Sequence, residues 1–463
     1  MNGPQQNCFE AVPAMLPFAA RHDYVTVSPT EKILAKYHDF SVALADQLVS
    51  CVPAPTQLHV NMTQLVQNWK ALQAHAGPDV LVAPTLKAEA YGHGAVATAT
   101  VLQAAGARMF MVAALREAVD LRRAGITQPI LVMSYTPPQQ AALAAKLNIS
   151  LTLFAEESAS ATIDSLRAAS SQALSVHVKV DSGMGRLGSP IEQLPGLAST
   201  LLAAGDVLRV QGVYTHFSRA DDDEAWTTQQ HEAFTAAVAG VFPSTVKVHT
   251  CNSAALVRHK HLCGAIARTG IALYGGVASG LTPLPPGMGY ALTWSTQVAQ
   301  VKTLPPGHAI GYGNTYRTTA HEAVATLPVG YSNGLRRGPE NQGFVLLHGF
   351  KCPIRGRVSM EKLVVGVQQV LDAGVPVNVG DVVLMLGSQP AHSQAAVLAD
   401  GSVDTDARVE ISPADAARAV GTIDYEVLTG LMPASPRWPV ELAQCAVEHY
   451  DWPQGFEQYN KQY

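Results

Sequence analysis

Between Thr56 and about Gly276 the chain alternates short β-branched or aliphatic runs with longer Ala-, Leu- and Gln-rich stretches of helical period, a pattern few folds accept. The spacing predicts strands at Gln57–Asn61, Val80–Thr85, Arg108–Ala113, Pro129–Ser134, Ile149–Phe154, Leu174–Val180, Arg209–Thr215 and Val246–Thr250. Helices are expected between most of them, for example at Thr63–Gln73, Ala95–Ala105, Arg116–Ala124 and Pro137–Leu147. Repeated strand–helix units require parallel pairing through right-handed crossovers, and about eight strands in roughly 220 residues fit a closed (β/α)8 TIM barrel. An open doubly wound sheet is the weaker alternative, because no GxGxxG follows the first strand.

Beyond Tyr290 the texture changes to strands separated by Gly/Pro turns: Leu292–Val301, Ala323–Leu327, Gly343–Leu347, Leu363–Gln368 and Asp381–Leu386. Ser388–Asp406 is polar and small-residue rich and reads as a surface loop, and Ser412–Val420 and Asp424–Leu431 read as helices. Residues 1–54 form an N-terminal extension, with an amphipathic helix expected within Glu31–Ser50. The expected division is therefore 1–54, a barrel over 55–285, and a C-terminal β-domain over 286–463.

With 48% hydrophobic and 14% charged residues the chain is globular, and a net charge of −5 gives no basic field to gather nucleic acid or anionic lipid. Six scattered cysteines without a CxxC pair point to reduced thiols and no metal site. The longest N-terminal apolar run, Ala11–Ala20, is interrupted by Pro13 and Pro17 and falls short of the ~18 residues of a membrane helix. No cationic segment precedes it, so the expected location is the cytoplasm, with organellar targeting by the extension left open.

Four groups of residues could carry chemistry. Lys87, in LKAEAYGHG with Tyr91, follows a predicted strand at the end where barrels build their sites, although a strand-end lysine alone is more often a solvated surface residue. VKVDSGMGRLG places Lys179, Asp181 and Arg186 at another strand end, where Arg186 either binds a carboxylate or phosphate or pairs with Asp181. His216, Ser253, Arg268, Gly270 and Ile271 lie in THFSRADD, HTCNSAAL and ARTGIALYGG, where a hydroxyl and glycine-flanked amides could cradle a phosphate. GYGNTY, VGYSNGLRR and GRVSMEK contribute Tyr312, Tyr331 and Met360 from the β-domain.

In order and spacing, these segments together resemble the alanine racemase family of fold-type III pyridoxal 5'-phosphate (PLP) enzymes, from about Pro55 to about Pro439. The resemblance implies a barrel plus β-domain, an isomerase interconverting L- and D-amino acids with alanine first, and a head-to-tail homodimer with shared sites. It implies that Lys87 holds PLP covalently and works as acid and base on one face of the substrate α-carbon, with Tyr312 from the partner subunit on the other. Two bases are needed because inversion removes a proton from one face and returns one to the opposite face. The family's opposing base is the tyrosine of its first tyrosine–glycine motif, which maps to Tyr312 and not to Tyr331. Arg268 would contact the pyridine nitrogen and, as a donor that keeps its proton, leave it unprotonated. His216 would join a hydrogen-bond chain from Tyr312 toward Arg268. Tyr91, Ser253 and the Gly270 and Ile271 amides would hold the phosphate, and Arg186 and the Met360 amide the substrate carboxylate. Lys179, seven residues before Arg186, stands where family members often carry a carbamylated lysine.

Three places depart from the family pattern: Glu361-Lys362 after Met360, Asn333 in place of an aspartate, and Pro439 in place of a tyrosine in the C-terminal Arg-x-Tyr corner. They leave substrate breadth open toward serine, lysine or arginine. A decarboxylase or aldolase on the same architecture, or a non-catalytic PLP-binding protein, is a weaker reading.

Overall fold

A computed structural model describes residues 55–277, 279, 281–338, 343–393, 404 and 406–431, together with the backbone of 437–440. The expected helix within 31–50, and most of the expected 388–406 loop, lie outside the described residues. Eight parallel strands build the first body: Leu81–Pro84, Phe110–Val112, Ile130–Val132, Ile149–Leu153, Leu174–Asp181, Leu208–Tyr214, Lys247–His249 and Ile266–Thr269. The six from Phe110–Val112 to Lys247–His249 pair in chain order, and Ile266–Thr269 pairs in parallel with Leu81–Pro84. Both seams are bonded: the Leu86 amide donates to the Met111 carbonyl (2.7 Å), and the Ala265 amide to the Val248 carbonyl (2.7 Å). The TIM-like barrel read from the sequence is thus present. Several of its strands are buried on both faces, as in a sheet covered by helices, with Phe110–Val112, Ile130–Val132 and Ile149–Leu153 buried at every position.

One expected barrel strand belongs elsewhere. Gln57–Asn61 forms a strand, but it pairs antiparallel with Leu292–Gln297 and in parallel with Arg437–Val440, inside the β-domain sheet. The reason is in its side-chain pattern: Leu58 and Val60 alternate with exposed or half-buried neighbours, which suits a sheet with one buried face. The eighth barrel strand is instead Ile266–Thr269, which was not expected. The adjoining helix Met62–Ala76 is capped by Asn61, whose side chain accepts from the Gln64 amide, and it buries Met62, Leu65, Trp69 and Leu72.

The β-domain is mostly antiparallel. One sheet runs in the order Phe350–Pro353, Phe344–Leu347, Val382–Pro390, Leu292–Gln297, Gln57–Asn61, Arg437–Val440, with Arg408–Ile411 added to Val382–Pro390. The second contains Gln300–Leu304, Glu322–Leu327 and Leu363–Gly366. The single strand expected at Leu292–Val301 is therefore two. Between them the Val298 amide bonds to Asp381 in one direction and the Ala299 amide to Thr326 in the other, so the chain changes sheets there. The strand Val382–Pro390 runs three residues into the segment expected to be a loop, because Ser388, Gln389 and Pro390 pair with Arg408–Glu410.

The seam beside Ile266–Thr269 depends on a glycine. A Cβ on Gly264 would lie 2.2 Å from the Val248 carbonyl oxygen, which is fixed backbone. Gly264→Ala is expected to destabilise the chain by about 2 kcal/mol, the scale of overpacking in a tight interior. Chemical denaturation should show the midpoint falling, and an unchanged midpoint would mean the seam does not contribute to global stability.

Candidate active site

The chain leaves strand Leu81–Pro84 through Thr85 and Leu86 to reach Lys87, and the next four residues make one turn of left-handed helix without a glycine. Ala88, Glu89, Ala90 and Tyr91 have φ between +52° and +54°. Each such residue costs about 1–2 kcal/mol, so the turn persists only where its surroundings impose it. The Ala90 amide donates to the Leu86 carbonyl and the Gly94 amide to the Glu89 carbonyl, each at 2.8 Å. Glu117 supplies the main clamp: one carboxylate oxygen accepts from the Ala88 amide (2.7 Å), the other from Ala113 (2.8 Å) and Ala114 (2.9 Å). This ties the lysine's turn to the end of the neighbouring strand. The turn aims Tyr91 inward, stacked on Tyr274 at 4.9 Å.

Lys87 opens into a cavity of about 600 Å³ at the barrel mouth. Tyr91, Lys179, Arg186, His216, Ser253, Arg268, Gly270 and Ile271 line the same cavity, so nine of the residues singled out in the sequence converge there. Tyr312 and Met360 do not: they sit on the β-domain, 69% and 56% exposed, away from this wall. Tyr425, from the helix Asp424–Gly430, does line the cavity and lies 6.1 Å ring to ring from Tyr91. Pro439, which replaces the tyrosine of the family's Arg-x-Tyr corner, falls in a β-domain strand paired with Val60. The signal for Tyr425 was its place at the start of a helix already expected.

Arg268 is buried, with 4% exposure, and no carboxylate among the described residues bonds it. One terminal nitrogen donates to the His249 carbonyl (2.9 Å) and to His249 Nδ1 (3.1 Å), and the other to the Thr215 (2.6 Å) and Thr250 (3.0 Å) carbonyls. Tyr214 packs under the guanidinium at 4.9 Å. Because Arg only donates, His249 Nδ1 is an acceptor and its proton sits on Nε2, which donates to His177 Nδ1 at 2.9 Å. Both rings are kept neutral: burial first and the Arg268 charge second depress His177 to about 4, and the same causes hold His249 well below its usual value. The imidazole bonded to Arg268 is therefore His249, whereas His216 was expected to link toward it. His216 lies in the cavity, held well below its usual pKa by burial and by Arg268, Arg186, Lys179 and Lys87 in turn. His177 and His249 were missed, although His249 opens the HTCNSAAL segment. Gly212 makes room for the pair, since a Cβ there would lie 2.3 Å from His177 Nδ1.

The loop after strand Leu174–Asp181 is shaped by Asp181. One of its oxygens accepts from the amides of Gly183 (3.0 Å), Met184 (2.9 Å) and Gly185 (3.1 Å), so Asp181 is a backbone clamp and leaves Arg186 exposed on the rim. Of the two readings of Arg186, the one pairing it with Asp181 is not what the structure adopts. Lys179 is buried beneath this loop and donates to the Leu187 carbonyl. Burial, then Arg268, brings its pKa from 10.5 down to about 8, with Asp181 opposing and Arg186 assisting. Lys87 is also lowered, by burial first and Arg186 second, with Glu117 acting the other way. On the far side Ser253 Oγ accepts from the amides of Gly270 (2.9 Å) and Ala272 (3.3 Å). Gly270 is required there, since a Cβ would lie 2.3 Å from the Tyr91 hydroxyl. In the β-domain, Asn333 Oδ1 accepts from the Gly330 amide at 3.0 Å, a bond an aspartate would make equally, so this departure leaves its turn intact.

The alanine racemase N-terminal domain profile matches residues 60–278, and the alanine racemase C-terminal domain profile matches 291–439. The chain is 33% identical over 390 residues to the alanine racemase of Halothermothrix orenii, covering 83% of this chain and 97% of that protein. It is 35% identical over 396 residues to the alanine racemase of Desulfovibrio desulfuricans, covering 84% and 98%. Among solved structures, alanine racemase from Bacillus anthracis with bound L-Ala-P superposes with a TM-score of 0.73 at 31% identity, covering 84% of this chain and 96% of that one. Alanine racemase from E. faecalis gives 0.74 at 31% identity, covering 83% and 98%.

The clamp on the lysine's turn can be tested directly. Glu117→Ala leaves three amides without their anionic acceptor and is expected to cost about 2 kcal/mol of stability. Because Glu117 raises the Lys87 pKa, its removal should also make Lys87 react with an amine-directed label at lower pH. Denaturation and pH-dependent labelling with peptide mapping check the two effects, and wild-type values for both would remove Glu117 from this role.

Proposed function

This chain belongs to the alanine racemase family, and we propose that it is a PLP-dependent racemase interconverting the L and D forms of alanine. The observation that carries the reading is the convergence of Lys87, Arg186, Arg268 and the Ser253–Gly270 turn on one barrel-mouth cavity. The residues fit the cofactor. Four cations, Lys87, Lys179, Arg186 and Arg268, face Asp221 alone among the carboxylates of the wall, which suits a phosphate and a substrate carboxylate. Both terminal nitrogens of Arg268 are bonded to the wall, while its Nε–H donates to nothing among the described residues. PLP, when bound, supplies an electron sink that acidifies the substrate α-C–H.

The chain's residues divide the remaining work. Lys87 holds the cofactor and moves a proton at the α-carbon on one face, and its depressed pKa raises the fraction able to act as a base near neutrality. Arg268 holds the ring nitrogen as a donor that keeps its own proton, which makes for a weaker sink and favours prompt reprotonation over side reactions. Tyr91, Ser253, Gly270 and Ile271 hold the phosphate, Arg186 orients the substrate carboxylate, and His216 stays neutral to pass hydrogen bonds toward the opposing base. That base is Tyr312 of a second copy, with the Met360 amide beside it. The proposed active unit is therefore a homodimer, since both residues are exposed and neither lines this chain's own cavity. Among the described residues no helix is long and apolar enough to cross a membrane, in keeping with a proposed cytoplasmic location.

In D2O with PLP, the α-proton signal of L-alanine should disappear as D-alanine forms, and L-serine, L-lysine and L-arginine should rank below it. A protein that binds PLP yet exchanges none of these protons would point to the binding-protein reading. Tyr312→Phe is expected to slow exchange from L-alanine at least ~100-fold, the scale of a lost general base, with PLP still bound. Undiminished L-face exchange would overturn the two-base assignment.

We assign Lys179 as the lysine that takes up CO2 to steer Arg186. Carbamate formation needs the neutral amine, and with the pKa at about 8 that form is scarce below pH 7 and dominant above pH 9. With 13C-labelled bicarbonate, a carbamate resonance should grow as pH rises through about 8 and be absent in Lys179→Met. A signal independent of pH, or one that survives this substitution, would exclude the site.

A further inference from the structure

Cys251 and Cys263 take no part in the cavity described above, yet the fold brings them together. Cys251 follows strand Lys247–His249 and Cys263 precedes the neighbouring strand Ile266–Thr269. The intervening chain returns through helix Ser253–Arg258 and the short turn Lys260–Leu262. Three bonds close this return: Ala265 amide to Val248 carbonyl, Arg268 amide to Cys251 carbonyl (3.0 Å), and Thr250 Oγ to the Leu262 carbonyl. The two cysteines interact inside it: Cys263 Sγ faces the Cys251 thiol and amide, and the Cys251 thiol also reaches the His259 carbonyl at 4.0 Å. Cys251 is fully buried and Cys263 is partly exposed. Cys352 is buried on a β-domain strand, apart from both.

These surroundings give the two thiols different characters. Cys263 is held below the usual thiol range because it accepts from the Cys251 thiol, and Arg268 and the Cys251 amide add to this against the opposing effect of burial. Cys251, as donor and buried, is pushed well above that range. A partly exposed cysteine whose thiolate is favoured, beside a buried partner, is the arrangement in which a first oxidation is trapped by a second thiol.

We propose that Cys251 and Cys263 are a peroxide-reactive dithiol that closes to an intramolecular disulfide and loosens the Ser253 turn. The Cys263 thiolate attacks hydrogen peroxide, the O–O bond breaks, and a sulfenic acid forms as hydroxide leaves. Cys251 then attacks that sulfur, the S–S bond forms, the S–O bond breaks, and the Cys251 proton departs with the oxygen as water. Two thiols lose two electrons and two protons, and the peroxide is reduced to water. Cys251 directly precedes Asn252, which caps helix Ser253–Arg258, and Ser253, which holds the Gly270 and Ala272 amides. Drawing its sulfur toward Cys263 moves that turn, and the effect on cofactor rests on the phosphate role proposed for Ser253.

The test treats the full chain, loaded with PLP, with dilute hydrogen peroxide and maps tryptic peptides. Expected are a loss of two hydrogens, a cross-link between peptides 248–258 and 261–268 that a thiol reductant reverses, and a loss of the Cys263 thiol on the order of tenfold faster than that of Cys352. Cys263→Ser should abolish the cross-link and leave Cys251 reduced. Conversion of Cys263 to a sulfinic acid without a cross-link, or faster reaction of Cys352, would overturn the pair. Bound-cofactor absorbance should fall on oxidation in the wild type and hold in Cys263→Ser, and a cross-linked protein that keeps its cofactor would overturn the link to Ser253. Peptide mapping reads the thiols whether or not the protein is a racemase, so the two failures are distinct.

Discussion

A guanidinium buried without a carboxylate beside it sets the electrostatics of the barrel mouth. Removing such a charge from water costs several kcal/mol unless dipoles replace the solvent. For Arg268 three backbone carbonyls, one imidazole nitrogen and the face of Tyr214 do so. Burial first, and then a charge that is never shed, hold His177, His249 and His216 neutral and bring Lys179 within reach of neutral pH. The order of tautomers from Arg268 through His249 to His177 follows from the same fact, because each ring can only accept on the side that faces a donor.

The carboxylates nearest the two lysines serve a different purpose. Glu117 and Asp181 each gather three backbone amides, one fixing the left-handed turn after Lys87 and the other the glycine loop before Arg186. Anions committed to the backbone stiffen the loops that carry the cationic side chains while only partly neutralising them. The cavity stays positive and its geometry is held in advance of any ligand, which is where electrostatic preorganisation has its effect.

Most of the barrel was legible because strands buried on both faces leave short, uninterrupted apolar runs, such as Phe110–Val112 and Ile149–Leu153. Ile266–Thr269 escaped notice because a buried Arg268 interrupts its apolar run, and that arginine is tolerated only through carbonyls contributed by distant segments. Gln57–Asn61 was recognised as a strand but placed in the barrel, although its alternating Leu58 and Val60 already describe a one-sided sheet. In the site, Lys87, Arg186 and Gly270 stood out because they are embedded in glycine-rich segments, and Ser253 because Asn252-Ser253 opens a helical run. His177 and His249 lie inside ordinary β-branched strands, where a histidine carries no local sign of its partner. Glu117 looked like any acidic residue in the first turn of a helix. What it bonds, an amide 29 positions earlier, is set by strand adjacency alone.

The turns that carry Tyr312, Tyr331 and Met360 are built to present side chains outward. The Tyr331 amide bonds to the Ser359 carbonyl, the Ser332 amide and hydroxyl both bond to the Met360 carbonyl, and Gly311 packs against the backbone of Arg357. One short segment, 356–360, therefore braces both tyrosine turns. Fixing exposed aromatic and methionine side chains on braced backbone gives no return in a lone chain, since each leaves apolar surface in water. It does give one where a second molecule covers the patch, because rigid turns lose little entropy on docking. The same rigidity suits a proton-transfer group, which must meet its carbon within a fraction of an ångström. In the proposed homodimer, a barrel mouth ordered by Arg268, Glu117 and Asp181 and a β-domain surface ordered by 356–360 would be two preformed halves, and neither would need to rearrange for the other to complete it.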